Sequence, residues 1–100
     1  MPKIKMGRVS DLPPGAVLEK SIVARRVAVF NVGGRLYGIE SDCKHMRASL
    51  STGEVKDGQI KCKWHGWRYD LESGECLTVS KTRLKTYAVT VEDDVIFVEI

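Results

Sequence analysis

No apolar run in this sequence approaches the roughly 20 residues that cross a bilayer. The longest are short, Val27–Phe30 and Val95–Val98. The opening MPKIKMGRVSDLPPG has no apolar core and no small-residue cleavage site, so it does not read as a secretory signal, and the cytoplasm is the expected location. Cysteine is scarce, with three in 100 residues. A disulfide scaffold wants an even set of four or six, so at least one thiol has another task, and a metal role in a reducing compartment fits better than a bridge. Helical periodicity is missing too: no window longer than about ten residues keeps an apolar period of 3.6 behind a cap. Charge of either sign is not concentrated. Sixteen lysines and arginines face 13 acids, for a net charge of +3, and the densest basic stretch is only KTRLK, Lys81–Lys85, which alternates as a strand would. Without a patch or a stacking platform, no nucleic-acid partner is expected. The surface is mildly basic and favours acidic partners.

What is present reads as all-β within one domain, residues 1–100. IKMGRV alternates from Ile4, and Pro13-Pro14-Gly15 marks a turn. AVLEKSIVARRVAVFNVGGRLYGIES is strand material that Gly33-Gly34 divides into two arms of a hairpin. Asp57-Gly58, Ser73-Gly74 and Asp93-Asp94 mark three further hairpin turns. Short strands at such spacings predict a small antiparallel sandwich or barrel.

The scarce chemistry is gathered in one place. CKWHGWRYD, residues 62–70, packs a thiol, two indoles, an imidazole and a phenol into nine positions. Cys62 and His65 form C-x2-H, and upstream Cys43 and His45 form C-x-H. Both histidines of the chain and two of its three cysteines fall into these pairs. A shuffled chain of this composition would show both pairs in roughly one case in a thousand. Two sulfur and two nitrogen donors on two facing hairpin loops make a metal site. Gly66, beside a ligand, allows close backbone approach. Zinc would take the set as a closed tetrahedral site. A [2Fe–2S] cluster would take it with both cysteines on one iron and both histidines on the other. Zinc fingers usually pair like with like, whereas here each loop offers one of each, which suits a cluster held between loops.

C-x-H followed by C-x2-H-G resembles the Rieske signature, and RYDLESGE is similar to the strand and turn that continue it in Rieske-type ferredoxins and oxygenase domains. The likeness is strong over residues 37–76 and agrees in pattern elsewhere. It implies a Rieske fold with a cluster-binding subdomain of two loops, about 41–50 and 61–69, holding one Rieske-type [2Fe–2S] cluster. It implies Cys43 and Cys62 on the iron that stays ferric, and His45 and His65 on the iron that takes the electron. Neutral imidazoles in place of two thiolates raise the potential above that of an all-cysteine cluster. Met46, Leu50, Trp64, Gly66 and Trp67 would shield the cluster. The high-potential branch has an extra cysteine in each loop and a serine after the second-loop H-G. Ala48, Trp64 and Trp67 stand at those positions, so the low-potential branch is expected. The proline that often marks a third covering loop is absent from LTVSKTRL.

Other residues read more plainly. Tyr69 and Cys76 are expected in the core, Glu72 and Glu75 in solvent around a turn, and Asp42 beside the first loop. No histidine is left for a mononuclear catalytic iron, no Gly-rich nucleotide loop appears, and no nucleophile–base pair can be built without using a ligand. The expected function is that of a soluble one-electron carrier, not an enzyme, passing electrons from a reductase to an oxygenase or other acceptor. The alternatives are a small Rieske subunit of a larger enzyme such as nitrite reductase, and a zinc-stabilised binding module.

Overall fold

The computed structural model describes residues 3–22, 25–43, 49–63, 66–79 and 82–99. Among them run nine strands: β1 (Lys3–Arg8), β2 (Val17–Ile22), β3 (Arg25–Val32), β4 (Arg35–Glu40), β5 (Glu54–Lys56), β6 (Gln59–Lys61), β7 (Arg68–Asp70), β8 (Thr86–Glu92) and β9 (Val95–Glu99). The helical content among the described residues is two single 3-10 turns, Val9–Asp11 and Leu50–Thr52. Six strands form one sheet in the order β1-β9-β8-β4-β3-β2, and β5-β6-β7 form a second. Its two edge strands curl toward each other: a Cβ placed on Gly7 of β1 would lie 3.1 Å from Leu18 Cδ1 of β2. The large sheet is thus close to a barrel, the arrangement by which antiparallel folds remove exposed edges.

Strand β3 divides the interior. Side chains alternate across a strand, and here both faces are buried. Ala28 and Phe30 point into one core with Ile39, Leu50, Ile60, Tyr69, Leu71 and Leu84. Val27 and Val29 point into the other with Leu12, Tyr87, Ile96 and Val98. The continuous run VAVF is the sequence mark of a strand covered on both sides. The first core reaches the small sheet and contains all three cysteines, so Cys43 and Cys62 sit in the half of the molecule where the two sheets meet.

Three hairpins follow the expected turns. Gly33 and Gly34 take φ of +61° and +96° between β3 and β4, the paired positive values that a two-residue turn with the right twist requires. Asp57-Gly58 joins β5 to β6, and Asp93-Asp94 joins β8 to β9 with φ of +50° and +64°. Other expectations change. The strand material before Gly33 is two strands, β2 and β3, paired antiparallel from Val17↔Phe30 to Ile22↔Arg25. The sequence between Ile22 and Arg25 has no glycine, proline or asparagine to announce the break, and residues 23–24 lie outside the described residues. Ser73-Gly74 is a turn, but its return arm makes only the single bridges Tyr69↔Cys76 and Glu75↔Arg83. A Cβ on Gly74 would meet Leu84 O at 2.2 Å, because the turn lies close against the following chain, to which Leu84 N–H on Gly74 C=O and Cys76 N–H on Thr82 C=O bind it. Residues 82–85 of the basic stretch likewise form only the bridge at Arg83.

Candidate metal centre

The first candidate loop leaves β4 of the large sheet and enters the small one. It is therefore not the tip of a simple hairpin, as the sequence suggests, but a bridge between sheets. Its base is closed by the antiparallel pair Asp42↔Ser49 and by Leu50 N–H donating to Ser41 C=O at 2.6 Å. Cys43 is the first residue inside and is fully buried. Ser49 then caps the 3-10 turn, its hydroxyl accepting from Ser51 N–H at 3.3 Å. Gly53 follows where no side chain fits: a Cβ there would lie 2.4 Å from Lys61 O.

The second loop is a hairpin end. β6 pairs with β5 on one side and β7 on the other, up to Lys61↔Arg68. Cys62 follows directly, and its N–H donates to Trp67 C=O at 2.7 Å, closing the loop. Gly66 turns the chain back with φ of +69°. Cys62 is buried, at 1% exposure, in the same core as Cys43.

Polar side chains tie the first loop to the large sheet. The Glu19 carboxylate on β2 accepts from the hydroxyls of Ser41 and Ser49, the latter at 2.5 Å, and so grips both ends of the loop's base. Ser49 and Ser51 hydroxyls lie 2.6 Å apart. The Arg26 guanidinium on β3 forms an ion pair with Asp42, with Nε at 2.7 Å from Oδ1. Partial burial pushes the Glu19 pKa up, but the hydroxyls of Ser41, Ser49 and Ser51 and the charge of Arg26 outweigh it, and the net shift is downward.

The Tyr69 hydroxyl lies 3.4 Å from Cys43 Sγ, both groups being buried. A thiolate has no proton to give, so with Cys43 in its ligand form the phenol O–H is the donor. Tyr69 comes from β7 behind the second loop, yet it touches the sulfur of the first. The two candidate loops thus meet through side chains as well as through the shared core.

Leu50 is fully buried in that core, Trp67 is half-buried against it, and Gly66 is half-buried. His45, Met46, Trp64 and His65 lie outside the described residues. Cys76 is in the core at 5% exposure, and its sulfur accepts from Val79 N–H at 3.4 Å. Among the described residues no set of three or more His, Cys, Asp and Glu side chains converges, so Cys76 is not a third member beside Cys43 and Cys62. None of the three cysteines is in a disulfide. Glu72 and Glu75 are exposed as expected, Glu72 pairing with Arg35 at 3.1 Å. Sequence reasoning missed Glu19, Arg26, Ser41 and Ser49, and saw Tyr69 only as core. A faint signal existed in the hydroxyls at 41, 49 and 51, which frame the first motif.

Two buried thiols at the bases of two closed loops, in one core and not in a disulfide, are a donor set suited to soft metal ions. The model of the Rieske [2Fe-2S] domain matches residues 3–88. The chain belongs to the Rieske [2Fe–2S] domain family. It is 36% identical over 94 residues to the 3-phenylpropionate/cinnamic acid dioxygenase ferredoxin subunit of Escherichia coli strain K12, covering 92% of this chain and 88% of that one. Its structure is similar to one in a complex of reduced oxygenase and oxidised ferredoxin in carbazole 1,9a-dioxygenase, with TM-score 0.87 and 28% identity over 96% of this chain and 91% of that chain. It is similar also to a protein provisionally named nitrite reductase NADPH (small subunit), with TM-score 0.83 and 25% identity over the whole of both chains. The Rieske fold, the Rieske-type [2Fe–2S] cofactor and the role of a Rieske electron carrier, rather than a catalytic enzyme, follow from these likenesses. Among the described residues, no helix is long and apolar enough to cross a membrane.

Proposed function

We propose that residues 1–100 form one Rieske domain of the low-potential branch, which accepts an electron from a reductase in the cytoplasm and delivers it to an aromatic-ring dioxygenase or a similar acceptor. Cys43, His45, Cys62 and His65 are the proposed ligands, from loops 41–50 and 61–69, with Met46, Leu50, Trp64, Gly66 and Trp67 as the cover. The observation that carries the reading is the burial of Cys43 and Cys62 in one core, each at the base of a closed loop.

When bound, the cluster supplies reversible uptake of one electron. The protein's part is environment. Burial of both thiols keeps water from the sulfur ligands. Trp67 occupies the position after the second-loop H-G, where the high-potential branch has a hydroxyl, so that donor is missing. Tyr69 gives one donor back at Cys43 Sγ. A hydrogen bond to a thiolate counters negative charge that grows on reduction, so its presence raises the potential and its absence lowers it. The missing donor supports a potential toward the negative end of the Rieske span of about −150 to +300 mV. Oxidised, a Cys2His2 cluster of two ferric ions, two sulfides and two thiolates is neutral and leaves the chain's own charge of +3.

Iron, sulfide and zinc analysis with EPR of the dithionite-reduced protein tests this reading. Two irons and two sulfides per chain are expected, with an average g below that of an all-cysteine cluster. One zinc per colourless chain would overturn it. The second reading, a small subunit of a nitrite reductase, draws on the fold likeness over the whole of both chains. Isolation of the chain from its source in a stable stoichiometric complex with a large reductase would favour it. Isolation alone, with electron delivery to a separate oxygenase, favours the first.

A further inference from the structure

The ladder of the small sheet sorts its side chains onto two faces. Val55, Ile60 and Tyr69 point inward, and Ile60 and Tyr69 are fully buried. Glu54, Lys61 and Arg68 form one row of the outward face, and Lys56, Gln59 and Asp70 form the next. Glu54, Lys56, Gln59, Lys61 and Arg68 line a shallow depression there. Lys56, Lys61 and Arg68 are exposed, as is Lys63 just past the sheet, and none of the four forms an ion pair among the described residues. Asp70 is engaged elsewhere: its carboxylate accepts from Ser73 N–H at 3.1 Å and Ser73 Oγ–H at 2.7 Å. Glu54 is the single acid among the residues lining the depression.

This face adjoins the second loop. Lys61 and Lys63 flank Cys62, and the Lys61 side chain lies over Gly66, where a Cβ would come within 3.2 Å of its Cε. The charge of the whole chain is biased the same way. Residues 43–70, through the end of β7, hold six lysines and arginines against three acids, while the rest of the chain holds ten against ten. The lobe therefore carries +3 and the remainder no net charge.

Unpaired cations on a fixed strand face, next to an electron's exit, steer an oppositely charged surface into a short-lived productive encounter. We propose that the outward face of β5–β7, centred on Lys56, Lys61 and Arg68, is the docking face for an acidic surface on the redox partner. The proposal rests on the electron-carrier reading above and names the charge of the partner surface. A protein is favoured over nucleic acid because the described lining residues offer no aromatic ring on which a base would stack.

The test compares Lys56→Glu/Lys61→Glu with Lys3→Glu/Lys5→Glu on β1, a strand of the other core half, which changes net charge equally. The dithionite-reduced holoprotein is mixed in a stopped-flow instrument with ferricyanide or with hexaammineruthenium(III). Each takes one electron, giving ferrocyanide or hexaammineruthenium(II), and leaves the protein oxidised. At low salt the face variant should react with ferricyanide roughly tenfold more slowly, and faster with the cationic complex, with both differences collapsing at high salt. The β1 variant should change by less than about twofold. In parallel, titration calorimetry with poly-L-glutamate on the oxidised protein should show salt-sensitive binding that the face variant loses and the β1 variant keeps. Equal slowing in both variants, no slowing in either, or tighter binding of duplex DNA than of polyglutamate overturns the proposal. A preparation without a Rieske EPR signal overturns the electron-carrier reading instead, and the polyglutamate titration, which moves no electron, then still decides the docking face.

Discussion

The two loops proposed to grip the cluster are held by different means. The second belongs to a three-stranded ladder, and backbone pairs close its base, from Lys61↔Arg68 to Cys62 N–H on Trp67 C=O. The first joins two sheets and, among the described residues, pairs only at Asp42↔Ser49. Side chains make up the difference: Glu19 and Arg26 reach from β2 and β3 to Ser41, Ser49 and Asp42. A loop held by backbone tolerates most side-chain changes around it, while one held by side chains depends on a few residues and on their ionisation.

The largest expected effect comes from the ligands themselves, where the two loops should behave alike. Cys43→Ser and Cys62→Ser should each abolish the visible band and the EPR signal of the cluster, because neither loop alone supplies enough donors. Retention of a full signal in either variant would remove that cysteine from the ligand set. Next is the core that both loops share. Ile60→Ala removes a fully buried side chain from the middle strand of the small sheet and should lower stability by about 2–5 kcal/mol in denaturant titration of the holoprotein. A loss below 1 kcal/mol would mean that the small sheet does not depend on this core.

The difference between the loops was only half legible in the sequence. The ligand spacing, the Gly33-Gly34, Asp57-Gly58 and Asp93-Asp94 turns and the buried run VAVF all carry local signals, because turn chemistry and side-chain period are written within a few residues. Glu19 carries none. It lies 22 residues before Ser41 and 30 before Ser49, and an exposed strand glutamate looks like any other until β2 pairs with β3. Tyr69 was legible as core from its alternation with Arg68, but its contact with Cys43 depends on how two sheets stack. The break between β2 and β3 was missed because the sequence there carries no turn chemistry.

Asp42→Asn tests the side-chain anchoring directly. It removes the carboxylate charge from the partly buried pair with Arg26, and should cost about 1–2 kcal/mol, between the values for exposed and fully buried pairs. If the first loop is the weaker anchor, cluster loss during thermal or chelator challenge should be faster in this variant than in Arg68→Gln beside the second loop. Equal rates would erase the distinction between the loops. Smaller again is Tyr69→Phe. Loss of about 1 kcal/mol of preferential stabilisation of the reduced form corresponds to a fall of about 45 mV for a one-electron couple. Protein-film voltammetry reads the shift, and an unchanged potential would return Tyr69 to a packing role.

The smallest effect is the acid dependence of the brace, and it follows from the direction of one shift. The Glu19 pKa is lowered in the folded protein from its ordinary value of 4.5, so on acidification the unfolded chain takes up this proton first. The stabilisation is complete above 4.5 and is lost as pH falls through the lower folded value. Its size is small because Glu19 is an exposed residue and its interactions are screened by water. Comparison of wild type with Glu19→Gln cancels the acid sensitivity of every other group, ligands included. The wild type should melt higher at neutral pH, and the gap should close well below pH 4.5. A gap that stays constant with pH would mean that the glutamate holds Ser41 and Ser49 by shape and hydrogen bonding alone. The first loop would then be as indifferent to ionisation as the second.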